Sequence, residues 1–128
     1  MMIDDLIRKF IEGYGAALSD GDLPVVSRCW TVPALVLSDQ GAIAVTNPSE
    51  IETFFAQGIE YYRSQGLMST RPELERVEML SETLISVDVR WPAYDSSSRE
   101  QASERSHYIL QLGQDGQPQI RVALTRTV

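Results

Sequence analysis

Few side chains in this sequence could move a proton near neutral pH. His107 is the only histidine, and an imidazole titrates close to neutrality. It stands in "ERSHYILQL", where alternation puts Ser106, Tyr108, Leu110 and Leu112 on one face and Arg105, His107, Ile109 and Gln111 on the other. His107 is either a proton shuttle, if its face lines a pocket, or a structural or surface residue. Asp88 lies mid-strand in "LISVDVRW", sharing a face with Leu84, Ser86 and Arg90. Facing inward it is a pocket acid; facing outward it is a solvated or cross-strand-paired one. Asp39, in "LVLSDQGAIAV", could serve as a base or as the first residue of a tight turn. Tyr14 forms a row with Phe10 and Leu18, and its hydroxyl is either satisfied within the core or offered to a ligand. Trp30, Tyr62, Trp91 and Tyr108 are the aromatic residues expected to wall a pocket.

Other chemistries lack their residues. Cys29 is the only cysteine, so no intramolecular disulfide forms, and one Cys with one His is too few for a zinc site of that type. Cys29 itself reads as a small buried hydrophobe. Lys9, the only lysine, sits near the start of the chain, which disfavours a buried Schiff-base lysine. No metal and no cofactor are expected. The net charge is −7. Residues 1–60 carry nine acids against three bases, and residues 61–128 nine against eight. Without a basic cluster to neutralise phosphates, nucleic acid is not an expected partner. No apolar run reaches the length of a membrane span. "MMIDDLIRKF" has no signal-peptide character, and a reducing cytoplasm is the expected home.

These residues need elements to position them. Ile3, Leu6, Ile7, Phe10, Ile11, Tyr14, Ala17 and Leu18 recur at helical spacing up to Asp20-Gly21. Asp22 can cap a short second helix with Pro24 in its first turn. Pro33 to Ser38 and Ala42 to Thr46 read as a hairpin closed by Asp39-Gln40-Gly41. "NPSEIETFF" opens a third helix, with Asn47 as cap, Pro48 first and Glu50 completing a capping box. Its stripe is Ile51, Phe54, Phe55, Ile59 and Tyr62, and Gly66 ends it. From Arg71 onward the pattern is strand-like: "ERVEML", "LISVDVRW", "ERSHYILQL" and "QIRVALTRT", with Pro92 marking an edge, a bulge or a strand end. The order α-α-β-β-α-β-β-β-β in 128 residues predicts one α+β domain, a curved antiparallel sheet packed on three helices from the N-terminal half.

Three stretches carry a resemblance. "YGAALSDGDLPVVSRCW", "NPSEIETFF" and "YILQLGQDGQPQIRVALT", in this order and at these spacings, resemble the nuclear-transport-factor-2-like superfamily, which includes ketosteroid isomerases and SnoaL-like polyketide cyclases. The resemblance covers nearly the whole chain. It implies a cone-shaped sheet around a pocket for a small apolar molecule, roofed by helices, and a homodimer formed through the outer sheet face. Carried over from the steroid isomerases, the hydrogen-bonding tyrosine falls on Tyr14 and the general-base position on Ser38. The second acid position falls at or near Tyr108. If Ser38 points into the cone, its neighbour Asp39 points out unless the strand bulges. The expected catalytic set is Tyr14, Ser38, Asp88 and His107.

Two functions from different classes follow. One is a ligand-binding cone, with cofactor-free isomerase, lyase or cyclase chemistry if it is an enzyme. The other is a non-catalytic dimerisation or partner-binding module. An ionisable group in the cavity favours the enzyme. Hydroxyls alone favour simple binding, and a filled cone a structural module.

Overall fold

A computed structural model describes residues 3–126. Met1 and Met2 at the start of "MMIDDLIRKF", and Thr127 at the end of "QIRVALTRT", lie outside the described residues. Helix α1 spans Ile3–Asp20, and Gly21 follows it with φ +70°, the left-handed conformation that costs glycine nothing. Helix α2, Leu23–Arg28, is capped by Asp22, whose Oδ1 accepts the Val25 N–H at 3.4 Å. Strands β1 (Trp30–Ser38) and β2 (Gly41–Val45) form the hairpin. Helix α3, Pro48–Ser64, opens on the capping box: Asn47 Oδ1 accepts the Glu50 N–H, and the Glu50 carboxylate accepts the Thr46 N–H. Strands β3 (Ser69–Thr70), β4 (Glu73–Met79), β5 (Leu84–Tyr94), β6 (Glu100–Leu112) and β7 (Pro118–Arg126) complete the chain.

The sheet has seven strands in the order β2-β1-β7-β6-β5-β3, with β4 also pairing β5. It is mixed rather than wholly antiparallel, because β1 runs parallel to β7. Alternation tells which residues share a face, not which distant strand will lie alongside or in which direction. The two-residue β3 was not expected. It takes over the β5 edge where β4 leaves it: the β4 ladder ends at Glu73↔Arg90 and β3 begins at Thr70↔Ala93. Pro92 sits in that gap, so β5 runs on through it to Tyr94 and loses no ladder bond on that side. Register shifts put extra residues in β1, β4, β6 and β7, and such bulges bend strands and curl the sheet.

The concave face carries the core. Ile85, Val87 and Val89 of β5, Leu110 of β6 and Ile120 of β7 are fully buried against Ile7 and Ile11 of α1, Val26 of α2 and Ile51 of α3. Each such aliphatic side chain contributes about 1.5–3 kcal/mol. Among the described residues no helix is long and apolar enough to cross a membrane.

Candidate functional site

The apolar stripe of α3 differs from those of the other helices. Ile51 is buried, but Phe54 and Tyr62 remain 49% and 38% exposed. A helix that covered a filled core would bury these rings. Instead they border a cavity of about 610 Å³ between α3, the end of α1 and the concave sheet face, a volume typical of small-molecule sites. Tyr14 and four expected wall residues, Trp30, Tyr62, Trp91 and Tyr108, all line it.

Tyr14 enters from α1, which is pressed close to the sheet because residue 15 is glycine: a Cβ there would meet the Pro72 ring at 2.6 Å. Its ring packs edge-to-face on Trp91 (5.8 Å between centroids) and Tyr108 (6.4 Å), and those two pack edge-to-face on each other. The Trp30 Nε1–H donates to the Tyr14 hydroxyl at 3.2 Å. That bond occupies a lone pair of the oxygen and leaves its own O–H available to donate. Burial, then the nearby Tyr108, push the Tyr14 pKa well above the usual phenol range, against the lowering effect of the Trp30 bond. Burial above all pushes Tyr108 up to about 12. Both hydroxyls are therefore neutral donors at physiological pH. The Trp91 Nε1–H is buried among these rings with no hydrogen-bond partner among the described residues.

The sequence reading missed one member of this wall. Glu104 lies directly across from Trp91 in the β5–β6 ladder and lines the cavity, where its Oε1 accepts a hydrogen bond from the Tyr62 hydroxyl. Burial and this carboxylate raise the Tyr62 pKa far above that of a free phenol. Among the described residues lining this cavity, Glu104 is the only acid and Arg63 the only base, and Arg63 Nη2 donates to the Ser19 carbonyl at 3.2 Å. The signal for Glu104 was in the alternation: Glu104, Ser106 and Tyr108 are two apart, so a face set by Tyr108 carries Glu104 with it.

Three expected residues stand elsewhere. Ser38 ends β1 opposite Gly41, outside the cavity walls, where its Oγ accepts the Gln40 N–H at 3.2 Å and closes the hairpin. Asp39 is exposed within that turn. Asp88 and His107 are cross-strand partners on the convex face, opposite buried Val87, Val89 and Tyr108. His107 Nδ1 lies 2.6 Å from Asp88 Oδ1, and its Nε2 lies 3.1 Å from Ser86 Oγ. Serine, imidazole and carboxylate in this order can activate a hydroxyl. Here β5 and β6 are each paired on both sides, which commits their backbone N–H groups to the ladders rather than to a developing oxyanion. Ion pairs flank this chain: Arg90 bridges Glu73 and Glu100, and Arg105 holds Glu75. Among the described residues no group of three or more His, Cys, Asp or Glu is placed to hold a metal ion.

Solved structures share this architecture. A domain of unknown function with a cystatin-like fold from Nostoc punctiforme superposes with a TM-score of 0.77 at 19% identity, over 98% of this chain and 77% of that one. An NTF-2-like protein of unknown function from Shewanella oneidensis gives 0.73 at 16%, over 97% and 98%. A ketosteroid isomerase-like protein from Erwinia carotovora atroseptica gives 0.71 at 16%, over 94% and 92%. At such identities the likeness is one of fold, and function does not travel with it. No curated protein matches. The family model described as NTF2-like protein (DUF6841) matches residues 3–127, and the chain belongs to that family.

Proposed function

We propose that this protein binds a small, mainly apolar molecule in the cone and moves a proton on it without a cofactor. The observation that carries the reading is the pairing of two polar groups in one aromatic cavity. The Tyr14 hydroxyl is held by Trp30 and able to donate, and the Glu104 carboxylate is held by Tyr62. A neutral phenol donor stabilises negative charge developing on a carbonyl oxygen, and a carboxylate in the same cavity can take a proton alpha to it. Glu104 would thus take the general-base role that the resemblance gave to Ser38, from a different strand and a different place in the fold. The Asp88–His107 pair belongs to the convex face, and we assign it, with the flanking ion pairs, to contact between two copies of the chain rather than to proton transfer.

Compact apolar ketones such as cyclohexanone test this reading. Binding is followed by Trp30 and Trp91 fluorescence, and exchange of the alpha hydrogens in D₂O by NMR. We expect binding and exchange in the native protein. Glu104→Gln should retain binding and lose exchange by roughly a hundredfold or more, the scale of one general base. Tyr14→Phe should weaken both. Binding with no exchange reduces the protein to a carrier, and absence of binding overturns the proposal.

A further inference from the structure

A second cavity of about 360 Å³ lies between α3 and the β1–β2 hairpin. It shares Trp30, Val36, Phe54, Phe55 and Gln57 with the main one, so the two chambers adjoin across these residues. At the divide the Phe55 ring leans on Trp30, 5.9 Å between centroids, and on Phe54 at 5.2 Å. Phe55 is only partly buried, and a single aromatic side chain between two voids can turn without moving the backbone.

The chambers differ in chemistry. The main one holds Tyr14, Tyr108 and the Tyr62–Glu104 pair. In the second, Glu50 is already committed to the α3 cap, and Ile43, Val45, Ile51 and Phe54 supply the apolar walls. Exposed apolar side chains follow the same line. Of seven large ones among the described residues, five border these chambers: Ile43, Phe54, Tyr61, Tyr62 and Met68. Exposed apolar groups gathered at cavity rims mark a site for an apolar ligand rather than random surface scatter.

We infer that the ligand is an extended molecule with a neutral polar end and an unbranched apolar chain. The polar end sits at Tyr14 and Glu104, and the chain passes Phe55 into the second chamber. A carboxylate end is disfavoured because it would meet Glu104, while Arg63 is turned to the Ser19 carbonyl. This rests on the binding reading proposed above and goes beyond it by naming the shape and class of the ligand.

The test is a series of n-alkanols from hexanol to decanol, titrated against native protein and two variants by Trp fluorescence and calorimetry. Thr53→Trp fills the second chamber from an exposed helix position, and Ile43→Lys places a charge at its rim. In native protein each methylene should tighten binding about fourfold, so decanol should bind roughly 250-fold tighter than hexanol. In both variants hexanol affinity should stay within twofold of native, while decanol loses tenfold or more. The inference is overturned if the gain per methylene stops within the series in native protein, or if decanol is indifferent to both variants. In either case cyclohexanone and hexanol binding would still stand, so the cone reading survives. Failure of hexanol and cyclohexanone alike would remove both.

Discussion

Two glycines of α1 should respond in opposite directions to the same substitution. Gly13 is exposed, and a Cβ added there meets nothing within 4 Å. Gly13→Ala should therefore show only the helix-propensity gain, about 0.5–1 kcal/mol of added stability. Gly15 is buried, and its added Cβ would lie 2.6 Å from Pro72 Cδ, 2.8 Å from Pro72 Cγ and 3.3 Å from Trp91 Cζ3. Carbon atoms rest at about 3.5–4 Å, and the Pro72 ring is bonded into the backbone and cannot swing aside. Relieving the overlap means moving α1 or the chain between β3 and β4. Overpacking of this kind costs about 1–3 kcal/mol, and two contacts under 3 Å put Gly15→Ala in the upper part of that range. After the propensity gain, a net loss of about 1–2 kcal/mol remains, so the two variants should differ by about 2–3 kcal/mol. Urea unfolding followed by far-UV circular dichroism and Trp fluorescence measures this through the midpoints at constant slope. The effect should reach the site, because a displaced α1 pulls the Tyr14 hydroxyl from Trp30, and the near-UV spectrum should change in Gly15→Ala alone. If Gly15→Ala is as stable as Gly13→Ala, α1 is not seated on Pro72 and Trp91, and the geometry argued for Tyr14 fails with it.

Alkaline pH should destabilise the fold before any backbone chemistry begins. Burial holds the Tyr108 pKa up at about 12 in the folded chain, against about 10 for a phenol in water. The unfolded chain therefore loses that proton first, and stability is whole below pH 10 and falls as pH rises towards 12. The loss from Tyr108 alone is about 2–3 kcal/mol, and Tyr14 shifts in the same direction. Unfolding midpoints measured across that window should show a shallower slope in Tyr108→Phe, and an unchanged slope would refute the assignment. Pairing through the convex face predicts a dimer in sedimentation equilibrium, with Ile109→Asp, beside His107 on that face, shifting it to monomer. A native monomer at high micromolar concentration would rule the pairing out.

Local chemistry was legible in the sequence wherever it acts over a few residues. Asn47, Pro48 and Glu50 cap α3 because a side chain and a backbone N–H three residues apart meet in any helix start. Alternation correctly divided β5 and β6 into two faces, and Trp30, Tyr62, Trp91 and Tyr108 border one cavity. What alternation cannot supply is the sign of each face. That is set by which side the helices cover, and it placed Asp88 and His107 on the convex side and Glu104 on the concave one. Ser38 was carried to a catalytic position by counting along the chain, whereas the strand ends there and its hydroxyl closes a turn. The open space itself is likewise a tertiary fact. The stripe Ile51, Phe54, Phe55, Ile59 and Tyr62 has the periodicity of a core-facing helix, and periodicity reports which residues face inward, not whether anything fills the space they face. Only the curl of the sheet, set by its bulges and by the parallel pairing of β1 with β7, holds it far enough from α3 to leave a cavity between them.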